Sequence, residues 1–165
     1  MGARLATVTS YPMPSFLLPT DKWALHADLL WTNWSKFQSL DPKVNPLIDP
    51  ALSKEQNWDD TLRFSIGTSY KHSDRLTLRA GLAYDESPVS TSNSTLRIPD
   101  SDRTWASIGA SYVLSGCYTL DIGYTHIFAD DVSLSPEALG GNTEAFLGEI
   151  EGTGDIFSIG LSGSF

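Results

Sequence analysis

The chain has 165 residues, a formal net charge of −9 at pH 7 and a single cysteine, Cys117. Its length favours one domain. Its acidity argues against a nucleic-acid partner, because such a partner would favour a basic stripe. A single cysteine excludes an intrachain disulfide. No run of 18 apolar residues occurs, which excludes a transmembrane helix but not transmembrane strands, because these need only about 9–11 residues of alternating character.

Residues 1–20 show no regular period, and Pro12, Pro14 and Pro19 interrupt any long strand. We expect an irregular lead-in here, with a short strand at most, followed by one domain over residues 21–165. The lead-in lacks the apolar core and the cleavage site of a secretory signal. Either the chain is not exported or its true N-terminus lies further upstream.

Six segments beyond the lead-in alternate apolar and polar residues with the period of two that strands produce. They lie at about residues 23–32, 60–70, 75–84, 103–114, 118–128 and 154–165. In the third segment, Leu78 and Leu82 share one parity, whereas Arg75 and Arg79 share the other. Each predicted strand therefore has one apolar face and one face of polar or small residues.

The connections between these segments alternate in length. Residues 39–56, 85–102 and 129–153 form long loops, whereas residues 71–74 and 115–117 form short turns. Outer-membrane barrels show the same alternation, with short periplasmic turns and longer external loops.

Aromatic residues of the apolar face gather near the strand ends. Trp and Tyr rings are apolar but keep one hydrogen-bonding atom for headgroups, so they form girdles at the membrane interfaces. The predicted girdle residues are Trp23, Trp31, Tyr70, Tyr84 and Tyr112. The pattern favours an all-β chain, an antiparallel segment of a transmembrane β-barrel with about six strands. A soluble β-sandwich, which also alternates, stays open as an alternative binding module.

The segments LRAGLAYDESPV, RIPDSDR and WTNWSKF, in a chain that closes on FSIGLSGSF, resemble the C-terminal part of the FadL-type outer-membrane transporters of long-chain fatty acids and other hydrophobic compounds. The resemblance runs from about residue 21 to residue 165. It implies a larger barrel of fourteen strands with an N-terminal hatch in its lumen, in the outer membrane of a Gram-negative bacterium. Only about six strands are present here, so we expect a C-terminal fragment that is inactive in transport alone. A non-transporting structural sheet that needs a partner is the second alternative.

Three residues are candidates for contact with a ligand. Lys54 corresponds, by the resemblance, to a lysine that helps to bind the ligand carboxylate inside the barrel. Trp34 lies on the inward parity and is placed to touch an acyl chain. Arg79 also faces inward and suits a carboxylate. For Arg63, Arg75 and Arg79 together, however, we expect mainly pairing across the wall with aspartates, since a buried arginine needs partners. The aspartates considered are Asp28, Asp60, Asp85 and Asp121.

No catalytic motif, phosphate loop or metal-ligand spacing occurs, so the sequence predicts neither an enzyme nor a cofactor or metal site. The acidic residues of the 129–153 loop fit no calcium loop and predict a solvated surface. The resemblance implies a hydrophobic ligand, outer-membrane lipid and lipopolysaccharide, and the outer-membrane assembly machinery as partners. Phe165 is the expected assembly signal, although Gly163 departs from the usual hydrophobic residue two positions before the end.

Overall fold

The computed structural model describes residues 9–12, 16–37, 39–40, 54–55, 57–90, 100–134 and 148–163. Its strands are β1 Ser10–Pro12, β2 Phe16–Pro19, β3 Trp23–Thr32, β4 Ser39–Leu40, β5 Lys54–Glu55, β6 Thr61–Lys71, β7 Leu76–Asp85, β8 Arg103–Ser115, β9 Tyr118–Ala129, β10 Val132–Leu134, β11 Gly148–Ile150 and β12 Thr153–Gly163. One 3-10 turn, Trp34–Lys36, follows β3. Within these ranges, no helix is long and apolar enough to cross a membrane.

One antiparallel sheet contains all six long strands, in the order β3–β6–β7–β8–β9–β12. Each long strand pairs with the next one along the chain, because short turns or loops return the chain directly to its neighbour. β1 and β2 both pair with the outer side of β3, so these two segments of the predicted lead-in extend the sheet. The prediction of an all-β chain with about six strands is confirmed.

Two small hairpins lie inside segments that the sequence predicts as loops. β4 pairs with β5 between the first two long strands, and β10 pairs with β11 between the last two. These strands are only two or three residues long. A segment this short contains too few residues to show a period, so the pattern had no means of revealing them.

The sheet has two chemically different faces, which its register carries from strand to strand. The apolar face carries, at one level, Leu25, Thr68, Ala80, Ile108, Tyr124 and Phe157. The polar face carries, at the next level, His26, Gly67, Gly81, Ser107, Thr125 and Ile156. The alternation in the sequence therefore becomes one continuous apolar surface, with one continuous surface of mostly polar and small residues behind it.

Among the described residues, no second layer of protein covers the apolar face. Ile108 is 64% exposed and Phe157 is 79% exposed, whereas Val89 and Val132 are the buried hydrophobic residues of the described ranges. A soluble sandwich would bury this face against a second sheet. A single sheet with an exposed apolar face instead fits a wall that lipid covers.

All five predicted girdle residues lie on the apolar face, at its two ends. Trp23 and Tyr70 are cross-strand partners at the short-turn end, where their ring centroids lie 4.5 Å apart. Tyr112 lies at this same end of β8. Trp31 and Tyr84 lie at the long-loop end of β3 and β7. The apolar face is thus bordered by aromatic rings on both sides, and the girdle role itself stays a prediction.

The turn between β6 and β7 differs from its prediction at Arg75. The Ser73 Oγ accepts hydrogen bonds from the backbone N–H groups of Arg75 (3.3 Å) and Leu76 (3.1 Å). This local bond closes the turn, so β7 begins at Leu76 and Arg75 is an exposed turn residue. The prediction that Arg75 lies within the strand is therefore wrong, and its inward orientation stays a prediction.

We expect Ile108→Arg to destabilise the lipid-embedded sheet by roughly 2–4 kcal/mol, because Ile108 lies near the middle of the apolar face between the two aromatic ends. The measurement is urea unfolding in lipid vesicles, followed by fluorescence.

Ser107→Arg is the matched control, because Ser107 is the adjacent residue on the polar face. The free energy of unfolding of the Ser107→Arg variant should fall much less than that of the Ile108→Arg variant. Equal losses for the two variants would show that the faces are not assigned as described.

Candidate functional site

The polar face is lined by small residues, and two paired glycines leave its centre bare. Gly109 and Gly123 are direct cross-strand partners on β8 and β9. A Cβ atom at Gly109 would lie 3.2 Å from the carbonyl oxygen of Ile122, and one at Gly123 would lie 2.7 Å from the Ser158 Oγ. A larger side chain at Gly123 would therefore force Ser158 to move. The space beside Gly123 is thus occupied by the Ser158 hydroxyl, and the two glycines add no side chain to the wall.

A polar cluster lies beside this bare region and links three strands. The Arg79 Nη1 donates to the Ser111 Oγ and lies 3.9 Å from an oxygen of Asp121, and the Ser111 hydroxyl donates to Asp121. Arg79 is the direct partner of Gly109, which has no side chain to fill that position. The expected pairing of Arg79 with an aspartate across the wall is confirmed, and Asp121 is that aspartate.

A second set of charges lies at the long-loop end of the polar face. The Arg103 Nη2 lies 3.7 Å from Asp85 and 3.6 Å from Asp100. The Arg63 guanidinium lies 5.0 Å from the centre of the Trp105 ring, a cation–π distance. Asp85 is thus paired with Arg103. The sequence analysis had considered Asp85 as a partner for the inward arginines Arg63, Arg75 and Arg79. The odd position of Trp105 in its strand already predicts an aromatic ring on the polar face, but the sequence analysis did not use this signal.

Two carboxylates connect the residues that follow β7 to the residues that precede β8. The backbone N–H of Ser87 donates to Asp102 (2.8 Å), and the Ser87 hydroxyl donates to Asp100 (3.0 Å). The Tyr84 hydroxyl also donates to Asp102. These bonds fix both ends of the long β7–β8 connection at the rim, so the rim charges keep a defined position on the wall.

Trp34 does not lie on a strand, because β3 ends at Thr32 and Trp34 begins the 3-10 turn. Its ring packs edge-on against Trp58, with centroids 5.2 Å apart, and Phe37 lies 4.8 Å from the same Trp58 ring. The parity argument for an inward Trp34 therefore does not apply. The structure gives instead an aromatic cluster at the long-loop end, of which the sequence interpretation had identified only Trp34 as a site residue.

Two predicted site residues are described only in part or not at all. The backbone of Lys54 lies in β5, paired with Leu40, and its side chain is outside the described set. Phe165 lies wholly outside the described residues. Among the groups that the structure does describe, no cluster of three or more His, Cys, Asp or Glu side chains is placed to hold a metal ion.

The sequence of residues 10–165 matches the family described as outer membrane protein transport protein (OMPP1/FadL/TodX). Similar proteins include the long-chain fatty acid transport protein of Salmonella typhi, which is 35% identical over 114 residues, 69% of this chain and 26% of that protein. The 47 kDa outer membrane protein of Pasteurella multocida is 41% identical over 108 residues, 66% of this chain and 25% of that protein. The chain thus spans about a quarter of the length of these relatives.

A solved structure, that of a Pseudomonas aeruginosa FadL homologue, is similar in fold as well as in sequence. The TM-score is 0.79 at 29% identity, over 94% of this chain and 35% of that chain. The similarity covers nearly all of the sheet described above. It therefore supports the register that creates the apolar and polar faces.

We expect Arg79 and Asp121 to be energetically coupled by about 0.2–1 kcal/mol, the range for exposed ion pairs. Their side chains are 49% and 48% exposed. A double-mutant cycle with Arg79→Met and Asp121→Asn, measured by unfolding in vesicles, checks this value.

The Lys71–Asp74 pair in the β6–β7 turn is the control, since Asp74 is 96% exposed. Its coupling should be smaller. A coupling energy between Arg79 and Asp121 no larger than that of the control pair would show that this contact does not help to hold the strands together.

Proposed function

The chain belongs to the outer membrane protein transport family (OMPP1/FadL/TodX), and from this membership we propose that it forms part of the wall of a barrel that carries long-chain fatty acids or other hydrophobic compounds across the outer membrane. The observation that carries the proposal is the family match over residues 10–165, in a sheet that keeps one apolar and one polar face. The apolar face meets lipid, and the polar face lines the lumen. The relatives named above are transport and outer membrane proteins rather than enzymes.

The small residues of the polar face suit the passage of a hydrophobic ligand. Gly109 and Gly123 place no side chain on the wall, and the neighbouring charge of Arg79 is balanced by Asp121. A long acyl chain is therefore met by a smooth surface with little uncompensated charge. Such a surface binds weakly enough for the ligand to move on.

We assign the ligand contacts to Lys54, Trp34 and Arg79. Lys54 would provide a point charge for a carboxylate head, and Trp34, in its aromatic cluster, would contact the acyl chain. Both contacts described for Arg79 involve its Nη1 atom, so a ligand carboxylate would approach the other side of the guanidinium. Lys54 and Trp34 belong to the long-loop side of the sheet, where a ligand arriving from outside meets the wall first.

The remaining partners follow from the position of the sheet in the membrane. The aromatic ends of the apolar face would meet the headgroup region, which on the external side includes lipopolysaccharide. Phe165 would end the last strand as the residue read by the assembly machinery. For organisation, we keep the division into a lead-in over residues 1–20 and a barrel part over residues 21–165, with β1 and β2 as the segments of the lead-in that join the sheet.

The described strands do not close on themselves, since the sheet order runs from β1 and β2 to β12 and ends there. An open edge in lipid leaves backbone N–H and C=O groups without partners, each costing several kcal/mol. Closing six long strands would leave a lumen narrower than that of eight-stranded barrels, which side chains already fill. This geometry supports the proposal that the chain alone does not transport.

We therefore expect liposomes containing only this chain to take up no more oleate than protein-free liposomes. The measurement is uptake of radiolabelled oleate over time. Uptake clearly above the protein-free background would refute the proposed inactivity of the isolated chain.

A second experiment tests Lys54 in a barrel completed by the N-terminal part of the Salmonella typhi relative. We expect Lys54→Met to weaken the apparent affinity for oleate about tenfold, the loss of one charge-assisted hydrogen bond. Uptake of oleyl alcohol, which has no carboxylate, should not change.

Lys36→Met is the matched control, because Lys36 is an exposed lysine of the 3-10 turn near the same rim. It should leave the uptake of both compounds unchanged. An equal loss for oleate and oleyl alcohol in Lys54→Met would rule out carboxylate recognition by Lys54.

A further inference from the structure

The apolar face contains one cluster of polar side chains, at the junction of β9 and β12. The Asp155 Oδ1 accepts a hydrogen bond from the Tyr124 hydroxyl (2.7 Å) and lies 2.8 Å from the Nδ1 of His126. His126 and Asp155 are direct cross-strand partners. Because a carboxylate only accepts, the His126 Nδ1 carries the proton in this bond. We call these three residues the Tyr124–His126–Asp155 cluster.

A carboxylate is out of place on this surface. Asp155 is the one acidic residue that the six long strands carry on their apolar face. Its side chain is 52% exposed, so the neighbouring tyrosine and histidine do not enclose it. Ionisable groups that face a membrane are costly, and they commonly mark a binding function.

The level of the cluster in the membrane follows from strand geometry. His126 lies eight residues along β9 from Tyr118, which begins the strand at the short-turn end. At about 3.3 Å per residue and a tilt of 35–45°, this corresponds to roughly 20 Å across the membrane, whereas the apolar band is about 25 Å tall. The cluster therefore lies near the external edge of the band, within reach of lipid headgroups.

An apolar groove leads from the cluster across the same face. Its volume is about 740 Å³, within the range of small-molecule sites. Small side chains form its floor, among them Ala80 and Ala106, and Leu25, Ile66 and Ile108 are among the larger ones that line it. Tyr124 and His126 also line it. One binding site thus combines a place for an acyl chain with a polar group at headgroup level.

We propose that the groove and the Tyr124–His126–Asp155 cluster bind one molecule of a membrane lipid whose headgroup carries a primary ammonium, with an acyl chain in the groove and the ammonium at Asp155. Two features carry the choice of headgroup. The carboxylate of Asp155 attracts a cation, and it disfavours a headgroup whose only charge is negative. The second oxygen of Asp155 is an acceptor, and an ammonium supplies three donors.

This site is independent of the proposed transport, because it lies on the opposite face of the wall from Arg79 and the paired glycines. It takes a lipid from the bilayer rather than a ligand from the lumen. A fatty acid anion would be a poor occupant, since its carboxylate would face that of Asp155.

The test is electron spin resonance of the chain in phosphatidylcholine vesicles that contain a trace of lipid spin-labelled on the acyl chain. We expect the immobilised fraction to show an association two- to fivefold stronger for phosphatidylethanolamine than for phosphatidylcholine or phosphatidylglycerol, as one exposed ionic contact provides. Phosphatidylcholine lacks N–H donors, and phosphatidylglycerol lacks the positive charge. This comparison needs no variant, so it holds even if a substitution disturbs folding.

Two pairs of variants locate the site. Asp155→Asn should remove the preference for phosphatidylethanolamine, whereas Asp28→Asn, the same change on the polar face, should retain it. Ala80→Phe should fill the groove and lower the immobilised fraction, whereas Ala83→Phe, on the same strand and the opposite face, should not. Equal association of the three lipids with the unmodified chain, a preference for phosphatidylglycerol, or an unchanged preference in Asp155→Asn would each overturn the proposal.

Discussion

The need to pair every backbone group inside a bilayer is the constraint on which this structure depends. Each long strand is hydrogen-bonded along its length to the next strand of the chain, from β3 to β12. Any extended segment can form this pairing, but an extended backbone directs successive side chains to opposite faces of the sheet. Because one side must then be lipid-compatible, the alternation of residues along each strand follows from the pairing.

The two faces consequently treat polar groups in different ways. On the polar face, charges are balanced within the wall, as in the contact of Arg79 with Asp121 and of Arg103 with Asp85. On the apolar face, the ionisable side chains of His126 and Asp155 lie toward one end, where headgroups are available. The Tyr124–His126–Asp155 cluster follows this second rule, because it lies at the external edge of the apolar band. The transport proposal rests on the first face, and the lipid-binding proposal rests on the second.

Glycine has a specific place in this division. Gly109 and Gly123 face each other across β8 and β9 with no room for a larger side chain on one of them. Because they lie next to Arg79, the long side chain of Arg79 extends along the polar face to Ser111 and Asp121 without obstruction. The same absence of side chains keeps the wall flat at this level, which suits the proposed passage of a ligand. A single local property therefore serves both the stability of the wall and its proposed function.

The sequence by itself determined the fold class, the number of long strands and the face of each residue within them, because the period of two is a local property of an extended chain. It also indicated the family. It did not determine which residues meet across strands, since register depends on partners far away in the chain. The pairing of Asp121 rather than Asp85 with Arg79, the stacking of Arg63 on Trp105, and the meeting of His126 with Asp155 were decided by the tertiary structure. Where a strand ended early, as before Trp34, parity failed because local turn geometry replaced the extended backbone.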